Sequence, residues 1–105
     1  DLGLYAEAAE EYRKALTMSP DFVDIRTSLG VVYRDMTDFA SAIRELEDAL
    51  KTSPDFPAAR IQLGLTYYAM GQHEKAKTEW LKVLRKHPED KMAQMYMNLL
   101  LTPSR

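Results

Sequence analysis

The sequence predicts an all-α fold, an α-solenoid in which about six helices stack as antiparallel pairs. The first observation behind this prediction is a repeat: "MSPDF" at residues 18–22 returns as "TSPDF" at residues 52–56, so the two prolines lie 34 positions apart. The second is that the apolar residues within each period recur at the three- and four-residue spacing of a helix. Arrays of this period bury the apolar face of each unit only against its neighbours.

The 34-residue offset also aligns residues outside the proline turn. Identical residues fall on it as pairs or triples: Pro20, Pro54 and Pro88; Ala8, Ala42 and Ala76; Leu16, Leu50 and Leu84; Leu29 and Leu63; Gly30 and Gly64; Tyr33 and Tyr67. The offset divides the chain into the second helix of a partial repeat (1–20), two full repeats (21–54 and 55–88), and a terminal helix with a tail (89–105). Because the chain begins at Asp1 without a methionine, we expect it to be a piece of a longer protein.

Each full period is predicted to hold two helices with a short turn between them. Asp21 and Asp55 directly follow a proline and precede the periodic residues, which predicts that they cap the first helix of each pair. Gly71 lies between the two helices of the second pair, where a left-handed residue ends a helix. Thr37 occupies the equivalent position in the first pair, so we expect it to adopt a positive φ.

The core of each pair is predicted from small residues that face large ones. Gly30 and Gly64 allow two helices to approach closely, and the aromatic side chains fill the space that remains. Trp80 in particular is expected to be buried between the two helices of the second pair.

These residues resemble the signature of the tetratricopeptide repeat (TPR) family, Trp-x2-Leu-Gly-x2-Tyr, then Ala-x3-Phe, then Pro. The two copies read Arg26-x2-Leu29-Gly30-x2-Tyr33, Ala42-x3-Leu46, Pro54, and Arg60-x2-Leu63-Gly64-x2-Tyr67, Ala76-x3-Trp80, Pro88. The resemblance implies a right-handed superhelix and a non-catalytic scaffold that binds another protein or a peptide on its concave face. The leading tryptophan is replaced by Arg26, Arg60 and Gln94, whose aliphatic stems we expect to supply the missing contact. Pro103 is expected to end the last helix early.

Composition argues against several other classes of function. The net charge of -2 gives no basic footprint for nucleic acid, and no cysteine is available for a disulfide or a zinc-thiolate site. His73 and His87 are 14 residues apart, about 21 Å along a helix, which is too far to share a metal. No phosphate-binding glycine loop, catalytic constellation or apolar run of the ~18 residues that a membrane span needs is present. We therefore expect no enzyme activity, no cofactor and no metal, while the compartment stays open.

A second stripe on the first helices marks the candidate partner-binding face. It lies roughly 100° around each helix from the core residues. Its members are Asp24, Thr27, Val31 and Arg34 in the first full repeat, Ile61, Leu65 and Tyr68 in the second, and Met92, Met95 and Leu99 in the terminal helix. The stripe changes from polar to apolar along the array, which predicts a groove for an amphipathic segment. The alternative is that these residues pack against neighbouring helices or against chain outside this sequence.

One class of partner that TPR domains bind is not expected for this chain. TPR domains that hold the acidic carboxy-termini of cytosolic heat-shock chaperones use a clamp of Lys, Asn, Asn, Lys and Arg. The aligned places here carry Thr27, Val31, Gln62, Met92 and Tyr96. None of these is a cation, so a terminal carboxylate would lose its water without gaining a counter-charge.

Two other classes of function stay open at the level of sequence. The chain could self-assemble as a homo-oligomer by stacking through its ends, and Met97, Leu100 and Leu101 are expected to be the exposed residues at the carboxyl end. The chain could also be the regulatory arm of a larger enzyme whose catalytic domain lies outside this piece.

Overall fold

The computed structural model describes residues 2–101, which form six α-helices and no strand. The helices are α1 (Leu2–Met18), α2 (Val23–Asp35), α3 (Phe39–Thr52), α4 (Pro57–Ala69), α5 (His73–Lys86) and α6 (Lys91–Leu101). Each helix packs against the next one along the chain, and α2 also contacts α4. The predicted all-α helical repeat solenoid is therefore confirmed. The predicted effect of Pro103 concerns a residue outside the described range.

The turn inside each full pair depends on one left-handed residue. Thr37 has φ 61° and Gly71 has φ 79°, as predicted for both positions. This backbone lets the carbonyl of Tyr33 accept a hydrogen bond from the Asp38 amide at 2.8 Å, and the carbonyl of Tyr67 does the same for Gln72 at 2.9 Å. Since threonine has a steric cost at positive φ that glycine avoids, the first turn holds strain that the second does not.

The turn between successive pairs differs from the prediction. The residues that precede α2 and α4 are Phe22 and Phe56, and neither makes a side-chain capping bond. The amides of these phenylalanines donate to the carbonyls of Ser19 and Ser53 at 3.2 Å. The phenylalanine therefore still belongs to the turn, which is one residue longer than expected. Asp21 and Asp55 consequently lie one position too early to cap, and the capping prediction for them is wrong.

The core of the second pair is built around Trp80, which is 1% exposed as predicted. Its indole N–H donates to the carbonyl of Ile61 at 3.2 Å, and its ring stacks on Tyr96 with centroids 5.3 Å apart. A Cβ on Gly64 would overlap this indole, so only glycine permits the approach of α4 to α5. Gly30 has the same relationship to Leu46 in the first pair.

Candidate functional site

The two arginines at the signature-tryptophan position make ion pairs that the sequence analysis missed. Arg26 Nη1 lies 2.8 Å from Glu45 Oε1, and Arg60 Nη1 lies 2.8 Å from Glu79 Oε1. The second guanidinium nitrogen of each donates to a proline carbonyl, that of Pro20 at 2.9 Å or Pro54 at 3.1 Å.

Each arginine thus ties the first helix of its pair to the preceding turn and to the second helix. Gln94 keeps only the first of these contacts, donating to the Pro88 carbonyl at 2.6 Å. The expectation of a contact through aliphatic stems alone was therefore incomplete. The signal was available, since both arginine–glutamate pairs are 19 residues apart and are offset by 34.

Eight of the ten predicted partner-binding residues have accessible side chains. Asp24, Tyr68, Met92, Met95 and Leu99 are exposed, while Val31, Arg34 and Leu65 are half-buried. The two remaining residues, Thr27 and Ile61, are buried at 7% and 5% exposure. We use the term groove surface below for the eight accessible residues.

Thr27 and Ile61 occupy the same position in successive repeats, and each is buried against its own neighbours. Ile61 belongs to a core cluster with Trp80 of α5 and with Ala93 and Met97 of α6. It therefore joins α4 to the helix of the following repeat. The hydroxyl of Thr27 donates to the Val23 carbonyl of its own helix at 2.7 Å. Neither side chain is available to a partner, so the prediction for these two residues needs correction.

Met95 continues the series of Thr27 and Ile61 at the same offset, yet it is 47% exposed. It lies with Leu99 along a shallow depression of α6 that Lys91, Gln94 and Asn98 complete. In α4 this position lies in the core cluster that α5 and α6 complete, whereas in α6 it is open.

The polar end of the groove surface is held by Arg34. Its Nη1 donates to Gln62 Oε1 at 2.5 Å, which connects α2 with α4, and its Nε lies 3.8 Å from Asp35 Oδ1. The guanidinium is thus fixed between two first helices.

The aromatic centre of the groove surface is Tyr68, which is 38% exposed. Its ring stacks on His73 with centroids 4.6 Å apart and contacts Trp80 at 6.2 Å in a tilted arrangement. Half-exposed aromatic side chains that are immobilised in this way suit contact with a partner, because they lose little conformational entropy on binding.

The prediction for the carboxyl end places two residues incorrectly. Met97 is 9% exposed and lies in the core, and Leu100 packs against the same cluster. The reason is helix phase: Met97 follows Leu63 by 34 residues, and Leu63 is buried. Leu101 is 68% exposed, so the apolar side chains that α6 exposes are Met92, Met95, Leu99 and Leu101.

Metal-binding groups, membrane-spanning helices and shifted pKa values each bear on what the described residues can do. Residues 2–101 contain no group of three His, Asp or Glu side chains that could hold a metal ion, and none of their helices is long and apolar enough to cross a membrane. Burial raises the pKa of Tyr67, with Glu47 and Glu79 adding to the effect, so its phenol stays protonated at neutral pH. Glu10 and Arg13 stabilise each other through a surface hydrogen bond, which lowers the pKa of the carboxyl.

Comparison with known proteins identifies the repeat. The family profile of the tetratricopeptide repeat matches residues 33–100, and a second profile, described as TPR repeat, matches residues 1–36. No curated protein matches the chain.

Solved structures of TPR proteins share the fold. The first TPR of Spaghetti, bound to the HSP90 peptide SRMEEVD, is 24% identical with a TM-score of 0.82, over 91% of this chain and 76% of that one. A thermophilic TPR protein of Thermus thermophilus is 26% identical with a TM-score of 0.87, over 95% of this chain. The match covers 52% of the Thermus protein, so the chain spans about half of its length.

Proposed function

Because the chain belongs to the tetratricopeptide repeat family, we propose that it is a non-catalytic protein–protein interaction scaffold that binds a partner segment on its concave face. The observation that carries this proposal is the groove surface. Its exposed side chains, Tyr68, Met92, Met95 and Leu99, lie on α4 and α6, two first helices that share one core cluster. Large exposed apolar side chains that lie close together are typical of interaction sites.

The chemistry of the groove surface specifies the kind of segment it would bind. Its α6 end is rich in methionine, which adapts to irregular apolar shapes. Its α2 end carries Asp24 and the fixed guanidinium of Arg34. We therefore propose an amphipathic segment whose apolar residues contact α4 and α6, and whose polar residues lie over α2.

An acidic carboxy-terminal tail does not fit the groove surface. The similar fold of Spaghetti holds the peptide SRMEEVD. In this chain the aligned clamp positions carry Thr27, Val31, Gln62, Met92 and Tyr96, none of them a cation, and Thr27 is buried. A terminal carboxylate there would be desolvated without a counter-charge.

Peptide selection tests the proposed groove. Peptides are selected from a random displayed library on the immobilised chain, and the best one is titrated against the chain and two variants. Met95→Asp should weaken binding at least tenfold, because it puts a charge into an apolar contact. Met18→Asp is the matched control, since Met18 is a more exposed methionine and lies on α1, which carries no residue of the groove surface. Equal affinity of both variants would contradict the proposal.

Self-assembly through α6 is a second candidate that one observation favours. Leu99 and Leu101 are 55% and 68% exposed at the last turn of α6. Leaving such side chains in water forgoes free energy that an end-to-end contact between copies would recover, less the entropy of association.

A further inference from the structure

A cleft of about 360 Å³ opens between the turn before α4 and the last turns of α5. It shares no residue with the groove surface. Phe56, Pro57 and Val83 are its apolar lining residues, called the apolar floor below, and Lys82, Arg85 and Lys86 are the basic lining residues from α5, called the basic side. This volume lies at the small end of ligand sites, with room for a few side chains.

The positive charge of this cleft is only partly compensated. The ammonium of Lys82 lies 3.5 Å from Glu79 Oε2, and that same carboxylate also pairs with Arg60. The only acid in the lining, Asp55, lies with its Oδ1 3.2 Å from His87 Nε2. Arg85 and Lys86 are exposed and form no ion pair with any of residues 2–101. Two cations therefore stand beside an apolar floor without a counter-charge.

The equivalent place in the preceding repeat shows that the fold does not require this charge. The positions 34 residues earlier than Lys82, Arg85 and Lys86 hold Asp48, Lys51 and Thr52. The only cation among these three is Lys51, whose ammonium lies 3.6 Å from Asp48. The same proline–aspartate–phenylalanine turn is present in both repeats. Cations at a helix C-terminus complement its dipole, but that effect does not explain why one repeat carries three of them and the other carries one.

We propose that this cleft is a second binding site, which takes a short acidic peptide segment of a partner protein. Carboxylates of the segment would pair with Arg85 and Lys86, and an apolar side chain between them would pack on Phe56 and Pro57. Charge complementarity selects the acid, and the apolar floor selects a peptide rather than a bare anion. The chain's net charge of -2 disfavours nucleic acid, whose binding depends on a larger basic surface.

The test uses a fluorescein-labelled peptide, Glu-Glu-Phe-Asp-Glu, and fluorescence anisotropy at low salt. Arg85→Glu should weaken binding about tenfold, since it replaces an attractive charge by a repulsive one. Lys51→Glu is the matched control, because it makes the same change of charge at the same repeat position of the other pair. Its Kd should stay within about twofold of the parent's. Circular dichroism would verify that both variants are folded.

Four further measurements complete the test. The neutral peptide Gln-Gln-Phe-Asn-Gln should bind at least tenfold more weakly than the acidic one. Added salt should weaken the binding of the acidic peptide only. Asp48→Lys with Thr52→Lys copies the basic side onto the first pair and should raise the stoichiometry from one peptide per chain to two. Met95→Asp should leave this binding unchanged, which separates the cleft from the groove.

Several outcomes would overturn the proposal. Equal losses from Arg85→Glu and Lys51→Glu would mean that only net charge matters. Equal binding of the neutral peptide would remove the role of the cations. Competition by a single-stranded oligonucleotide at lower concentration than the peptide would assign the cleft to nucleic acid instead. No binding of the acidic peptide at millimolar concentration would leave the cations as complements of the α5 dipole.

Discussion

Arg60 and Glu79 form an ion pair across the second helix pair, with Nη1 and Oε1 2.8 Å apart and side chains that are 20% and 11% exposed. Arg26 and Glu45 repeat this geometry in the first pair, also at 2.8 Å. In both pairs the arginine occupies the position of the family's signature tryptophan. In both repeats, a charged contact in which both guanidinium nitrogens are hydrogen-bonded has thus replaced the apolar contact of a tryptophan.

Removing one partner of this ion pair should destabilise the protein. Glu79→Ala leaves the guanidinium of Arg60 mostly buried with only the Pro54 carbonyl as its acceptor, and the expected loss in the free energy of unfolding is about 1–3 kcal/mol. Chemical denaturation measures it. Glu47→Ala, at an exposed acid, is the control. A double-mutant cycle with Arg60→Met should give a favourable coupling energy, and a coupling of zero would show that the pair is incidental.

Trp80→Ala should be among the most damaging single substitutions. Removing a fully buried indole leaves a large cavity between α4, α5 and α6, and we expect a cost of about 3–5 kcal/mol. Trp80→Phe should cost less, because it keeps an aromatic ring in the core. Its remaining cost comes in part from the lost hydrogen bond to the Ile61 carbonyl. Thermal denaturation checks both variants. A melting temperature for Trp80→Ala within a degree or two of the parent's would contradict this account of the core.

The two intra-pair turns give a reciprocal prediction. Thr37→Gly should stabilise the protein by roughly 1 kcal/mol, since glycine adopts φ 61° without the strain that a β-branched residue suffers. The converse change, Gly71→Thr, puts that strain at φ 79° and should destabilise by a similar amount. Both are measured by urea denaturation. If Thr37→Gly destabilises, the Thr37 hydroxyl bond to the Met36 carbonyl outweighs the backbone strain.

The raised pKa of Tyr67 predicts that the protein loses stability in alkaline solution. Burial raises its pKa in the folded state above the ordinary value near 10, so the folded protein holds the phenolic proton more tightly than the unfolded chain. The resulting stabilisation is complete below pH 10 and is lost as the pH rises from about 10 through the folded-state pKa. Denaturation curves between about pH 9 and 11 measure this decline, which should be shallower in Tyr67→Phe. An identical decline in that variant would exclude Tyr67 as the cause.

Self-association through α6 is open to a direct measurement. Light scattering at tens of micromolar should give a mass above 12.0 kDa if the exposed end of α6 pairs with another copy. Leu99→Glu with Leu101→Glu should return the mass to that of the monomer. The control pair is Leu2→Glu with Leu4→Glu, which alters exposed leucines at the other end of the chain. A monomer in the parent protein would eliminate this candidate.

The sequence was sufficient for features that depend on local geometry and on the repeat. Thr37 and Gly71 could be assigned a positive φ because both close a turn at the same repeat position. Trp80 could be placed in the core because a glycine within a helix, here Gly64, indicates a close approach by a large neighbour.

Features that depend on contacts between repeats could not be assigned in the same way. Ile61 and Met97 are apolar residues on faces that look accessible when each helix is considered alone, and both are buried in one core cluster that α4, α5 and α6 form together. The basic cleft needed the structure as well, because it joins the turn at Phe56 to Arg85 at the far end of α5.

Amide chemical-shift mapping can locate the surface to which a partner segment binds, and we propose that this surface lies across α4 and α6. A selected peptide is titrated into the ¹⁵N-labelled chain. The largest shifts should occur at Leu65, Tyr68, Met92, Met95 and Leu99, with little change in α1. Shifts confined to α1, or to the turn at Phe56 and the end of α5, would contradict this proposal.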